Sequence, residues 1–359
     1  MNYIGSKHTL LPFLERSITL VAGPYRDGQT FCDLFAGTGA VGRHFKRIGY
    51  QVTANDLQYY SYVLNRQYIG NHTILMFHGL EEEIPQIRDV LFDDMRGAKV
   101  CEYLNFLKPI EGFVYQNYCK GRHQDGEDYR LYFSDDNGGR CDAIRQKIEQ
   151  WRGEGKLTEG EYFFLLATLI EGIDRVANTA SVYGAFLKRL KRSAQKPLTM
   201  KPAEMIYNGQ EHYVYNEDAN QLARHLHVDI LYLDPPYNQR QYSANYHLLE
   251  TIALYDSPQI TGKTGMRDYS GQRSQYCSRS SVKEAFRQLI QEVDAHYIFL
   301  SYNNEGLMTF DDIRSIMEER GRYGCFKQEY GRFKADNESD TRHIAGDKTT
   351  EYIHYIALS

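Results

Sequence analysis

The chain has 359 residues, a net charge of −5, 42% hydrophobic and 25% charged residues, which suits an ordinary globular protein of one large or two ordinary domains and requires no disulfide or metal staple. No run of about 18 apolar residues offers a membrane span, and the start MNYIGSKHTLL lacks the apolar core of a signal peptide. The six cysteines form no C-x-x-C pair, so a cytoplasmic chain without zinc or disulfides is expected.

In chain order, Tyr3-Ile4-Gly5-Ser6-Lys7 leads as a loop into an amphipathic helix marked by Leu10, Leu11 and Leu14. Residues 30–35 (TFCDLF) read as a buried strand, followed by the loop Ala36-Gly37-Thr38-Gly39 and a helix over 40–48. A second strand covers 50–54 and ends at Asn55-Asp56, and a Tyr-rich helix runs to about residue 69. This βαβα rhythm implies a parallel sheet. It breaks between 71 and 208, where helices near 85–91 and 161–176 flank a polar stretch over 121–139. That region reads as an insertion, partly helical, with its own small core.

The sheet pattern resumes at 213–215, continues with a helix over 218–227, and then gives a strand that ends at Asp234. Helical patterns follow at 246–255, 282–294 and 309–320, and strands at 297–302, 326–330 and 351–357. The last two strands, with no helix between them, predict an antiparallel pair at the sheet edge. The expected fold is α/β and Rossmann-like, with about seven mostly parallel strands and an antiparallel edge. Residues 1–70 and 209–359 would form the catalytic domain and 71–208 the insertion.

Asp234-Pro235-Pro236-Tyr237 follows Ile230, Leu231, Tyr232 and Leu233. Two prolines stop such a strand, which sets a carboxylate and an aromatic ring at its carboxyl end, the ligand edge of open α/β sheets. Asp234 and a proline carbonyl can accept hydrogen bonds from a planar amino-bearing ring on which Tyr237 stacks, and an adenine fits. Phe35-Ala36-Gly37-Thr38-Gly39 joins a strand to a helix N-terminus, where glycines admit a ligand close to the backbone. Asp56 is placed to accept from ribose hydroxyls, or else to cap the next helix. After 213–215, Asp218 can accept from a ligand adenine amino group or cap the helix that starts there; the ligand role is favoured for Asp218 and the cap for Asn216.

Two basic stretches stand out in this acidic chain. Lys188, Arg189, Lys191, Arg192, Lys196 and Lys201 lie between Phe186 and Pro202 without an acid; Lys263, Arg267, Arg273, Arg279 and Lys283 include only Asp268. They read either as solvated faces, a helix face in the case of the first, or as a groove for nucleic acid.

With these four elements in this order, the chain resembles the DNA adenine-N6 methyltransferases of the DNA adenine methylase type, which show Y/W-x-G-x-K, F-x-G-x-G, an acidic strand end, an inserted target-recognition domain and then D-P-P-Y. Residues 300–306 also look like the strand end that walls the substrate site in that family. The resemblance implies S-adenosylmethionine as cofactor, bound by Tyr3, Lys7, Phe35, Gly37, Gly39, Asp56, Asp218 and Asp234. It implies a target adenine flipped out of double-stranded DNA onto Asp234, Pro235, Pro236 and Tyr237, with Lys188, Arg189, Lys191 and Arg192 on the phosphates. A monomer is implied, acting alone or beside a restriction endonuclease without a stable complex. An RNA adenine methyltransferase and a catalytically silent DNA-binding module are the alternatives. An intact Asp234–Tyr237 motif argues against the silent module, and the large insertion argues against the RNA enzyme.

Overall fold

The structure is a computed structural model and describes residues 7–121, 129–331 and 348–358. Among the described residues there are nine strands: β1 (Thr30–Asp33), β2 (Gln51–Asn55), β3 (Tyr213–Tyr215), β4 (His227–Leu233), β5 (Ile260–Thr261), β6 (Met266–Arg267), β7 (Asp294–Asn303), β8 (Arg322–Gly331) and β9 (Lys348–Ala357). The chain forms two compact units. One holds the described residues of Gly5–Asn65, Ile206–Tyr242 and Ser270–Ser359, the other those of Arg66–Met205 and Ser243–Tyr269.

The first unit is built on a seven-stranded sheet of order β3-β2-β1-β4-β7-β9-β8. β3 through β7 run parallel, and β9 is antiparallel to both β7 and β8, which is the Rossmann-like fold with an antiparallel edge that the rhythm predicts. β4 is central and covered on both faces, so its sequence is a continuous apolar run: Ile230, Leu231, Tyr232 and Leu233 are at most 1% exposed. On one face Leu231 and Leu233 join a core with Phe286, Leu289 and Ile290 of the helix Val282–Glu292 and Ile313, Ile316 and Met317 of the helix Phe310–Glu318. On the other, Phe45 of the helix Ala40–Ile48 stacks on Phe31 at 4.0 Å. From β1 the chain winds outward to β3, then returns to β4 and winds the other way. The order therefore reverses between β1 and β4, and a crevice opens at their carboxyl ends.

Several boundaries differ from expectation. The strand over 30–35 stops at Asp33, because the chain must turn into Gly37 and Gly39, both at positive φ (52° and 77°). The helix over 218–227 is only Ala219–Ala223, since β4 already begins at His227. The Tyr-rich helix is α-helical over Tyr59–Asn65 and continues as a π-turn, Arg66–Gly70.

The second unit centres on the helices Asp135–Gly153 and Glu159–Arg175. The latter is apolar all round, with Phe163, Phe164, Leu165, Leu166, Leu169 and Ile170 at most 3% exposed, the pattern of a helix inside a core. Thr158 and Glu161 close its N-terminus with a capping box. The polar stretch over 121–139 hides the start of the first helix: Asp135 through Gly139 look like a turn but are helical. Gly138 and Gly139 are needed there for close approach, since a Cβ would meet Cys119 Sγ at 2.1 Å and Pro109 Cβ at 2.9 Å. The helix expected near 85–91 is a single 3-10 turn, Pro85–Ile87.

This unit also gathers residues 243–269, which sequence rhythm leaves with the sheet. Leu248, Leu249 and Ile252 of the helix His247–Leu254 are fully buried, and buried Arg145 donates to the carbonyls of Ile252 and Ala253 at 3.0 and 2.9 Å. No helix among the described residues is long and apolar enough to cross a membrane.

Candidate active site

Because β3, β2, β1 and β4 are parallel neighbours, the carboxylates that end or follow them, Asp218, Asp56, Asp33 and Asp234, lie along one sheet edge. Asp234 follows Leu233 directly, and Pro235 is buried behind it. The Asp234 side chain is 19% exposed, enough for a ligand to reach, and its Oδ1 lies 3.2 Å from Lys7 Nζ. Lys7 is itself held by Glu351 on β9, Nζ to Oε1 at 2.9 Å. The same Oε1 accepts from Ser301 Oγ of β7. Burial pushes the Asp234 carboxyl up, Lys7 partly counters this, and the net position is about 6. For Lys7, burial alone would lower the ammonium, but Asp234 and then Glu351 outweigh it and raise it well above its ordinary value.

Tyr237 is braced by the loop after β7. Leu307 N donates to the Tyr237 carbonyl at 3.0 Å, and the Tyr302 ring meets the Tyr237 ring edge-on at 6.4 Å. Met308 N in turn donates to Tyr302 Oη at 3.2 Å. Tyr302, within 300–306, and the backbone of Leu307 just after it thus support Tyr237.

The glycine loop is held by side chains from the next strand and helix. Gly37 N donates to Asp56 Oδ2 at 2.8 Å, and Gln58 N donates to Asp56 Oδ1 at 2.9 Å. Asn65 Nδ2 donates to the Gly37 carbonyl at 3.0 Å. Phe35 meets Tyr276 edge-on at 5.1 Å. Asp56 is therefore a loop anchor as well as the acid that follows β2.

Asp33, at the end of β1, is absent from the sequence-based site. It is 1% exposed; its Oδ2 accepts from Gly42 N at 3.2 Å, and its Oδ1 is buried without a hydrogen-bond partner. Burial first, and then the charge of Asp234, raise its carboxyl well above the ordinary range. Only the TFCDLF pattern signalled it, as a carboxylate inside an apolar strand.

Two expectations are corrected. Asp218, not Asn216, caps the short helix: its Oδ1 accepts from Asn220 N and Gln221 N at 3.0 and 3.1 Å. Asn216 instead donates to the Asp56 carbonyl at 2.8 Å. The basic run after Phe186 is not a helix face, because residues 184–198 form an irregular loop. Buried Asn178 fixes this loop by donating to the Leu187 carbonyl and accepting from Lys191 N, both at 3.0 Å. Asn137 donates to the carbonyls of Ala194 and Lys196 at 3.2 and 2.9 Å. Lys188, Arg189 and Arg192 are exposed, whereas Lys191 turns its ammonium onto the Thr179 carbonyl at 2.6 Å. In the second basic stretch Arg267 is paired with Asp256 and Lys283 with Asp312, which offsets part of its charge. Tyr3 lies outside the described residues. Among those described, no group of three or more His, Cys, Asp or Glu could hold a metal ion.

A Rossmann-like sheet whose order reverses between β1 and β4, with a glycine loop and an Asp-Pro-Pro-Tyr strand end beside it, is the arrangement expected from the resemblance to amino-directed methyltransferases. The sequence pattern of the D12 class N6 adenine-specific DNA methyltransferases matches residues 3–316, and the chain belongs to that family. It is 51% identical to the type II methyltransferase M.NlaIII of Neisseria lactamica over 99% of both chains. It is 31% identical to the type II methyltransferase M.CviAII of Paramecium bursaria Chlorella virus 1 over all of this chain and 98% of that protein. To the type II methyltransferase M.FokI of Planomicrobium okeanokoites it is 36% identical over 99% of this chain, which spans 52% of that protein. The protein is a DNA adenine-N6 methyltransferase, and the RNA and silent-module alternatives give way to that result.

Proposed function

We propose that the enzyme uses S-adenosylmethionine to methylate N6 of an adenine flipped out of a specific double-stranded DNA sequence. The observation that carries this reading is Asp234: a partly open carboxylate at the reversal crevice, fixed beside Lys7 and followed by a buried proline. The residues present fit the cofactor. The buried, unpartnered Oδ1 of Asp33 beside a loop with two glycines at positive φ is the donor-seeking surface that an amino acid with a nucleoside requires, and Asp56 suits ribose hydroxyls. Lys7, Phe35, Gly37, Gly39, Asp56, Asp218 and Asp234 would hold it, with Tyr3 from the family resemblance. When bound, it supplies an electrophilic methyl group on a sulfonium sulfur.

The chain's own part is positioning. The adenine amino lone pair is conjugated into the ring and reacts poorly. Asp234 accepts one N6–H and the Pro235 carbonyl the other, which favours a pyramidal nitrogen and frees the lone pair for in-line attack. Tyr237 stacks on the extruded base, and Pro236 stiffens the turn that aims both acceptors. Residues 71–208 serve as the target-recognition domain, with the exposed cations of the 184–198 loop on phosphates. The likeness to relatives named type II methyltransferases supports a modification role in a restriction–modification system. There it would act as a cytoplasmic monomer without a stable nuclease complex. Expression in a host without DNA methylation, followed by single-molecule mapping of N6-methyladenine, tests the reading: methylation confined to one sequence is expected, and none from wild-type protein overturns it.

A further inference from the structure

Glu351 is an unusual residue for an edge-side strand. It is 1% exposed on β9, between β7 and β8 in the sheet, yet its Oε1 accepts from two side chains, Lys7 at 2.9 Å and Ser301. A buried carboxylate costs folding free energy unless it is paired. Its partner Lys7 also faces Asp234, at the longer distance of 3.2 Å. One ammonium is thus shared between two carboxylates, and the closer contact is to the one remote from the proposed adenine acceptor position.

We propose that Glu351 is a positioning residue for methyl transfer: by drawing the Lys7 ammonium toward itself, it leaves the Asp234 carboxylate able to accept from the target amino group. This rests on the reading of Asp234 as the adenine acceptor. Two physical effects act together. An ammonium seated wholly on Asp234 would occupy lone pairs that the N6 hydrogens need. It would also oppose the positive charge that grows on N6 as the methyl group is transferred, and Glu351 neutralises that cation. With Lys7 positive and Glu351 and Asp234 negative, the trio is anionic, which suits a transition state that gains positive charge at the substrate. Among the described residues, the other titratable groups that feel the Asp234 charge include Asp33 at the end of β1, Tyr232 on β4 and Tyr237, which follows it.

The test is a carbon-13 titration of aspartate-labelled full-length protein, with the Asp234 signal assigned by its loss in Asp234→Asn. In Glu351→Gln, Lys7 turns fully to Asp234, and the Asp234 midpoint should fall by about one pH unit, in the lower part of the range for a newly dedicated ion pair. The turnover number should fall about tenfold, less than the roughly 10²–10⁴-fold that a direct acid–base group contributes, as suits a residue that acts through Lys7. Ser301→Ala gives a milder readout that keeps the charge. Without the hydroxyl donor, Glu351 attracts Lys7 more strongly, and the Asp234 midpoint should rise. Midpoints unmoved in both variants, or moved in the opposite directions, overturn the proposal; if Glu351→Gln does not fold, the direction in Ser301→Ala decides alone. The Asp234 reading has its own arm, since near-normal turnover in Asp234→Ala would refute it whatever the midpoints do.

Discussion

Lys7 Nζ lies 3.2 Å from Asp234 Oδ1 and joins a segment near the start of the chain to the strand end that carries the Asp-Pro-Pro-Tyr motif. Sequence reading assigns Lys7 to the cofactor. In the structure it is the counter-ion of Asp234, the proposed adenine acceptor.

Replacing Asp234 with alanine should remove most methyl transfer. The carboxylate interacts most strongly as N6 gains positive charge, and loss of one such preorganised partner costs about 3 kcal/mol of barrier, roughly a hundredfold in rate. Binding of S-adenosylmethionine should weaken but stay detectable, because Asp234 is one of its proposed contacts while Asp56, Asp218 and the glycine loop are untouched. Single-turnover methylation with cofactor titration checks both halves, and near-normal turnover would remove Asp234 from the chemistry.

The position of the Asp234 carboxyl near 6 sets a pH dependence. Only the ionised form accepts a hydrogen bond at both oxygens, so kcat/KM should drop about tenfold per pH unit below about 6 and level off above it. The sign for stability is opposite. The folded value lies above the ordinary 3.8, so the contribution of this group is full below about 4 and is lost as pH rises through about 6. A pH–rate profile with an acid limb near 4 would mean that the group titrates unperturbed.

Asp56 anchors Gly37 N at 2.8 Å and is the proposed acceptor for the ribose hydroxyls. Asp56→Ala should weaken S-adenosylmethionine binding by roughly 1.5–3 kcal/mol, the range for a hydrogen bond to a charged group. An unchanged dissociation constant in calorimetry would leave it only the structural anchor.

The glycine loop, Asp56 and the Asp234 turn were legible because each is a local pattern, a strand followed at once by residues that end it. Asp33 and Glu351 were not. Lys7 and Glu351 are 344 positions apart, and only the sheet order, with β9 inserted between β7 and β8, brings Glu351 beside Ser301 and Lys7. In TTEYIHYIA a single glutamate reads as a solvent-side residue of an edge strand, whereas the strand is covered and that face is buried. The helix start at Asp135 was hidden for a related reason: Gly138 and Gly139 break local helix propensity, and tertiary contact with Cys119 and Pro109 is what makes them necessary. The cap falls to Asp218 and not to Asn216: both are good capping residues, and only the backbone decides which one immediately precedes the helix.

The 184–198 loop yields the last prediction. Its cations are not equivalent: Lys188, Arg189 and Arg192 are exposed, while the Lys191 ammonium is spent on the Thr179 carbonyl at 2.6 Å. If the exposed three meet phosphates, neutralising Lys188 and Arg189 together should weaken cognate and unrelated duplexes alike. The slope of log affinity against log salt should become shallower by about 0.9 for each phosphate no longer neutralised. The methylated sequence should not change, since binding to phosphates carries no base readout. Lys191→Gln should behave differently, lowering thermal stability through a loosened loop while leaving the salt slope close to that of the wild type. Salt titrations of the three proteins separate the cases: superimposable slopes would assign Lys188 and Arg189 to solvent, and an altered target sequence would make the loop a base-reading element.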